Sequence, residues 1–144
     1  MKVCADTSVL VAAMVETHPA HSRALPWLVR ARKGEVALVV GTHNLAELYA
    51  VLTTLPVRPR IATDIARRMI RDNVESVAEI VDLTANDYRE ILDGQSSLGL
   101  AGGTTYDALA VRATLKAGAE KLLTLNAADF RRVWPDGGDR IVAV

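Results

Sequence analysis

Apolar residues fall along this chain in short runs divided by polar and glycine-containing joints, and the runs follow two periods. Lys2–Ala5, Val36–Val40, Val77–Leu83, Lys121–Thr124 and Ile141–Val144 are short and apolar over most of their length, which predicts strands buried on both faces. The stretches between them carry helical spacing. These are Ser8–Val15, Pro19–Lys33, Thr42 or His43 to about Leu55, Arg60–Asn73, Thr84–Leu92, Tyr106–Ala117 and Ala127–Val133. Punctuation agrees with this division. Gly34, Gly41 and Gly118 stop elements, and Pro56 and Pro59 bracket a loop because the residue before each is pushed out of helix. Pro26 either kinks its helix or restarts it. Thr84 followed by Asp87 reads as a capping box. Asp93–Thr105 reads as a loop rich in Gly, Ser and Thr. Short apolar strands each followed by a helix predict an α/β fold with a central parallel sheet of four to five strands covered on both faces. The pattern leaves the strand order open. At 144 residues, one domain spanning 1–144 is expected.

Composition narrows the function classes. The net charge is zero, so a basic coat for general nucleic-acid binding is not expected, and with 4% aromatics a stacking platform for single strands is not expected either. Positive charge is mostly Arg, and several gather between Arg58 and Arg71. Cys4 is the one cysteine, which excludes an internal disulfide and any Cys-based zinc spacing and fits a reducing cytoplasm. Val9–Val15 is too short to span a membrane, and Asp6 precedes it where a signal peptide would carry basic residues. A cytoplasmic protein without a membrane segment is the expectation.

Ligands of open α/β sheets gather at the carboxyl ends of the strands. Asp6 follows the first strand directly. Glu47 lies about a turn into the helix after the second, Asp107 opens the helix after the Gly-rich loop, and Asn126 and Asp129 follow the fourth strand. A cluster of carboxylates without matching Lys or Arg is costly, and a divalent cation relieves it. Mg²⁺ and Mn²⁺ take oxygen ligands, polarise a phosphoryl oxygen and lower the pKa of bound water, so phosphodiester hydrolysis suits this set. Each acid also has a local reading. Asp6 can cap a helix, Glu47 can be a solvated helix acid, Asp107 can complement a helix dipole, and Asp129 can turn the chain before Phe130. The joint pattern favours the metal.

Ala-Asp-Thr-Ser-Val-Leu at 5–10, Ala-Glu-Leu-Tyr at 46–49, Gly-Gly-Thr-Thr-Tyr-Asp-Ala-Leu at 102–109 and Leu-Thr-Leu-Asn-Ala-Ala-Asp-Phe at 123–130 resemble the PIN-domain ribonucleases, above all toxins of the VapC type. The likeness runs in order through nearly the whole chain. It implies a three-layer PIN-like sandwich and an endoribonuclease dependent on Mg²⁺ or Mn²⁺, paired with a small antitoxin and often homodimeric. Asp6, Glu47 and Asp107 match the family's three core acids, and Asp6 and Asp107 are the best direct metal ligands. Where the family carries Asp or Asn and then Asp, this chain has Asn126 and Asp129, so either can complete the site, with one metal or two. A PIN nuclease acting in RNA processing or on DNA is the rival reading. So is a catalytically silent binding module, against which the presence of all three acids counts.

Other residues divide between structural and functional roles. Ile61, Ala62, Ile65, Ala66, Met69 and Ile70 share one broad helical face, with Arg60, Arg67 and Arg71 opposite. Those arginines are either a solvated face or a stripe steering RNA phosphates toward the acids. Thr7 and Ser8 have no His–acid partners and no nucleophile elbow around them. They either cap the helix or hold Asp6, the metal's waters or the substrate. His18, His21 and His43 lack a metal-binding spacing, and His18 and His21 are expected at the surface. Gly99, Gly102 and Gly103 lack the Lys of a phosphate-binding loop. Apolar residues on the helices 44–55 and 60–73 are candidates for a dimer seam. Amide replacement of Asp6 or Asp107 is expected to abolish cleavage and to relieve repulsion in the metal-free protein.

Overall fold

The computed structural model describes residues 1–144. Its strands are β1 (Lys2–Ala5), β2 (Ala37–Gly41), β3 (Glu79–Val81), β4 (Lys121–Thr124) and β5 (Ile141–Ala143). They form one sheet in the order β3-β2-β1-β4-β5, with every neighbouring pair parallel. Helices α1 (Thr7–Met14), α2 (His21–Arg32), α3 (Thr42–Thr54), α4 (Thr63–Ile70), α5 (Ala85–Ser97), α6 (Thr104–Lys116) and α7 (Ala127–Val133) supply the crossovers.

Strand alternation sorts the core into two layers. Val3, Ala5, Leu38, Val40 and Leu123 point to one side, where they pack with α1, α2, α3 and Ala66 and Ile70 of α4. Cys4, Val39 and Leu122 point to the other and meet Ala110 and Ala113 of α6 and Phe130 of α7. Both faces of the sheet are covered, as the continuous apolar runs predicted. Cys4 is fully buried, and burial pushes its thiol up to about 12, so it is a packing residue and not a reactive one. No helix is long and apolar enough to cross a membrane.

Several boundaries differ from the sequence expectation: β3 is shorter than Val77–Leu83, α6 begins at Thr104 and not Tyr106, and three other helices differ too. The helix expected to stop at Leu92 continues to Ser97, leaving residues 98–103 as the loop. Ile91 and Gln95, four residues apart, are both buried, and Gln95 Nε2 donates to Thr104 Oγ1 at 2.8 Å. That tertiary bond continues the helix through Gly94, a residue whose propensity argues for a stop. The helix expected over Arg60–Asn73 begins at Thr63. Its α-helical part ends at Ile70 and passes into a wider π turn over Arg71–Glu75, where Val74 is fully buried. Within it Ile65 is exposed, so the buried stripe is narrower than its periodicity suggested. Finally, α2 begins at His21 and runs through Pro26 unbroken.

Candidate functional site

β1 stands at the middle of the sheet. The chain leaves it toward β2 on one side and later returns to β4 on the other, so the carboxyl ends of β1, β2 and β4 open a crevice. A cavity of about 320 Å³ lies there, and Asp6, Glu47, Asp107 and Asn126 all line it. The expected acids from three distant segments are therefore brought together. No Lys or Arg lines the cavity.

Asp6 serves two ends at once. It caps α1, with Oδ1 accepting from Val9 N at 3.1 Å and from Ser8 Oγ at 2.6 Å, and Oδ2 accepts from Thr124 Oγ1 at 2.6 Å. Both hydroxyls are themselves locked. Ser8 Oγ accepts from Leu125 N at 3.1 Å, and Thr124 Oγ1 accepts from Asn126 N at 2.9 Å. Asp6 both caps α1 and lines the crevice, so its capping role and a place in the site are compatible. Thr7 takes a different part. Its Oγ1 faces the cavity and accepts from Asn44 Nδ2 at 2.8 Å, while Asn44 Oδ1 accepts from Gly41 N at 3.1 Å. The ends of β1 and β2 are tied together through that buried amide.

The electrostatics show the cost of this gathering. Burial pushes the Asp6 carboxyl above the usual range, against the pull of the Ser8 and Thr124 hydroxyls. Burial raises Glu47 too, and the charges of Asp6 and Asp107 add to it, with the Thr7 hydroxyl pulling back. Asp107 rises to about 6, by burial first and then by the charges of Asp6 and Asp129. Asp129 is exposed and does not line the cavity, so of the two candidates for the fourth position Asn126 stands in the wall and Asp129 acts from the rim.

No three Asp, Glu, His or Cys side chains close around a common point as a preformed coordination shell would. The carboxylates give the cavity a set of oxygen donors and a strong negative charge without a Lys or Arg. That set fits an ion that takes few protein ligands and keeps its waters, as Mg²⁺ does.

The histidines depart from expectation. His18 is not a free surface residue but lines the cavity, and its Nδ1 accepts from Ala20 N at 3.0 Å. His21 is half-buried, with Nδ1 2.8 Å from the Ala12 carbonyl oxygen. His43 is buried in the cavity wall, neither ring nitrogen has a hydrogen-bond partner, and Nε2 lies 3.8 Å from Glu47 Oε1. Burial lowers its pKa to about 4, so the ring is neutral near pH 7. Sequence reasoning missed His43, Asn44 and Thr124. The one available signal was their position, within three residues of a strand's carboxyl end.

Gly41 makes room for that imidazole. A Cβ there would come within 2.7 Å of His43 Nδ1 and 3.2 Å of Ala113 Cβ. Its φ of −76° suits any residue, so only space demands glycine. Gly41→Ala is expected to destabilise the protein by about 1–3 kcal/mol through overpacking. Urea unfolding checks this, and an unchanged midpoint would contradict the packing described.

The structure does not bring Arg67 and Arg71 to the acids. Neither lines the cavity. Arg67 lies in a separate groove with Leu45, Ala46 and Tyr49, on the side of α3 turned away from Glu47, and its guanidinium is forked onto Glu75 at 2.5 and 3.3 Å. The π turn after α4 is what carries Glu75 back to Arg67, a contact invisible to an ideal helical wheel.

The chain matches the family model described as PIN domain over residues 3–134. It is 39% identical to ribonuclease VapC40 of Mycobacterium tuberculosis over 85% of this chain and 84% of that protein. It is 33% identical to ribonuclease VapC27 of the same organism over 80% and 78%. Among solved structures, VapC20 of M. tuberculosis, described as a sarcin-ricin loop cleaving toxin, superposes with a TM-score of 0.66 at 16% identity, covering 83% of this chain and 86% of that one.

Proposed function

The chain belongs to the PIN-domain family, and on that premise we propose that it is a metal-dependent endoribonuclease, the toxin half of a toxin–antitoxin pair. The observation that carries the metal-dependent part is the cavity itself. Three carboxylates share it without a counter-cation, and each is pushed toward its neutral form by burial, Glu47 and Asp107 also by neighbouring negative charge.

Asp6, Glu47 and Asp107 would hold Mg²⁺ or Mn²⁺, with Asn126 in the wall and Asp129 at the rim as the further polar groups. When bound, the cation polarises a phosphoryl oxygen and acidifies its water. The chain's own residues do the positioning. Ser8 and Thr124 fix both oxygens of Asp6 through hydroxyls that backbone N–H groups hold in turn. Asn44 fixes Thr7, leaving that hydroxyl at the cavity surface beside Glu47. Groups held this way need little rearrangement when the scissile phosphate arrives, which is where such sites gain rate.

Further parts of the proposal are a cognate antitoxin, a homodimer, a cytoplasmic setting and residues 1–144 acting as one nuclease unit. The antitoxin is what the resemblance to VapC-type toxins implies, and the relatives are ribonucleases of that name. Exposed Tyr49, which lines the groove between α3 and α4, supports a covered seam, so sedimentation at micromolar concentration is expected to give a dimer. A monomer alone would remove that part. The central test is cleavage of RNA by the purified protein. Activity is expected with Mg²⁺ or Mn²⁺ and none in excess EDTA, and undiminished cleavage in EDTA would refute the metal reading.

A further inference from the structure

An RNA strand entering the acid cavity meets a wall without a single Lys or Arg. Its own phosphates are negative, so cations just outside the wall must hold the flanking backbone. Of the arginines offered by helical periodicity, Arg67 does not serve, because it is engaged by Glu75 and faces another groove.

The loop that leaves α3 does. Leu55 is part of the acid cavity's wall, and the next five residues, Pro56, Val57, Arg58, Pro59 and Arg60, line a second depression of about 170 Å³. From Leu55 to Arg58 is three residues, so their Cα atoms are at most about 11 Å apart. No Asp or Glu occurs between Glu47 and Asp64. Arg58 and Arg60 are exposed and form no ion pair, whereas Arg67, Arg68 and Arg112 are each paired with a carboxylate. Pro56 and Pro59 restrict the backbone on either side of Arg58, which lowers the entropy lost when its guanidinium is held.

We propose that Arg58 and Arg60 form a phosphate-binding subsite that grips the RNA backbone next to the phosphodiester being cut. It rests on the ribonuclease reading above and deepens it. Two guanidiniums in one depression suit successive phosphates of a strand, each offering a fork to anionic oxygens. Contacts to phosphate oxygens carry no sequence information, so the subsite adds affinity and register without sequence preference.

The test measures binding of a fluorescently labelled single-stranded RNA of mixed sequence across a KCl series, without metal, in an Asp107→Asn background that prevents cleavage. Adding Arg58→Ala and Arg60→Ala is expected to weaken binding and to flatten the plot of log affinity against log salt by about 0.7 for each phosphate no longer neutralised, about 1.4 for the pair. Arg67→Ala with Arg71→Ala is expected to leave the slope unchanged. Arg58→Lys with Arg60→Lys is expected to keep the slope, since the charge stays, and thermal unfolding should not move in any of these variants. An unchanged slope in the Arg58/Arg60 alanine variant would overturn the subsite while leaving the nuclease reading intact if the unsubstituted protein still cuts RNA. Failure of the unsubstituted protein both to bind and to cut RNA would overturn the two together.

Discussion

Asp107→Asn is expected to abolish RNA cleavage and, in the same molecule, to raise the melting temperature of the metal-free protein. The carboxyl is half-buried, accepts no hydrogen bond from the protein, and is raised to about 6 by burial and by Asp6 and Asp129. At pH 7 its ionised form is therefore held at a cost. The rise of about two pKa units corresponds to at most about 3 kcal/mol, which partial exposure screens to about 1 kcal/mol. For a domain of this size that is a gain of about 3–5 °C. An amide of the same shape removes the cost and, with it, a ligand charge. Activity should fall at least about hundredfold, since even groups that merely support a metal ligand are worth ten- to hundredfold. Thermal unfolding in EDTA beside a cleavage assay reads both effects, and a variant that cuts RNA at the normal rate would remove Asp107 from the site.

Asp6→Asn should share the loss of activity but not the gain in stability. Both Asp6 oxygens accept hydrogen bonds, and the Ser8 and Thr124 hydroxyls that donate them are already acceptors for Leu125 N and Asn126 N. An amide NH₂ would face one of those hydroxyls donor to donor, leaving a buried hydrogen bond unmade, a cost of about 1–3 kcal/mol. The two acids, equivalent by sequence, are separated here by their partners.

Lowering the pH from 7 to 5 is expected to erase the stabilisation that Mg²⁺ confers, while in the metal-free protein the buried acids favour the folded state and buried His43 opposes them. A carboxyl whose folded pKa lies above its unfolded value binds more protons when folded, so stability falls as pH rises through that interval and is restored as pH drops. For Asp107 the interval runs from 3.8 to about 6, and Asp6 and Glu47 shift in the same direction. His43, lowered to about 4 by burial, opposes this between about 4 and its ordinary 6.5, and Asp87, lowered to about 2 by Lys116 and the Thr84 backbone, opposes it only below the interval. Protonated ligands bind the cation poorly, so the upward shift in melting temperature caused by Mg²⁺ should shrink over the same range. Melting curves at pH 5, 6 and 7, with EDTA and with Mg²⁺, test this. Asp107→Asn should lose more stability, or gain less, than the unsubstituted metal-free protein on going from pH 7 to pH 5, and identical pH trends in the two would contradict the electrostatics of the cavity.

What the sequence by itself determined is local or periodic. Short apolar strands, glycine stops and the Thr84–Asp87 capping box required only neighbours in the chain, and all are present in the structure. Asp6, Glu47, Asp107 and Asn126 were legible because parallel strands expose their carboxyl ends at one edge, so a polar residue just after a strand has few other places to be. Tertiary structure alone decided what depends on contacts between distant segments. The order β3-β2-β1-β4-β5 sets which strand ends meet, and no periodicity encodes it. Gln95 reaching Thr104 lengthened a helix past a glycine, and Glu75 returning across a π turn paired Arg67 in a groove apart from the acid cavity. His43, Asn44 and Thr124 became parts of the site only when folding buried them against Gly41, Thr7 and Asp6. A side chain's partners, its solvation and hence its charge are properties of the packed molecule, and a chain read in order contains the groups but not the distances between them.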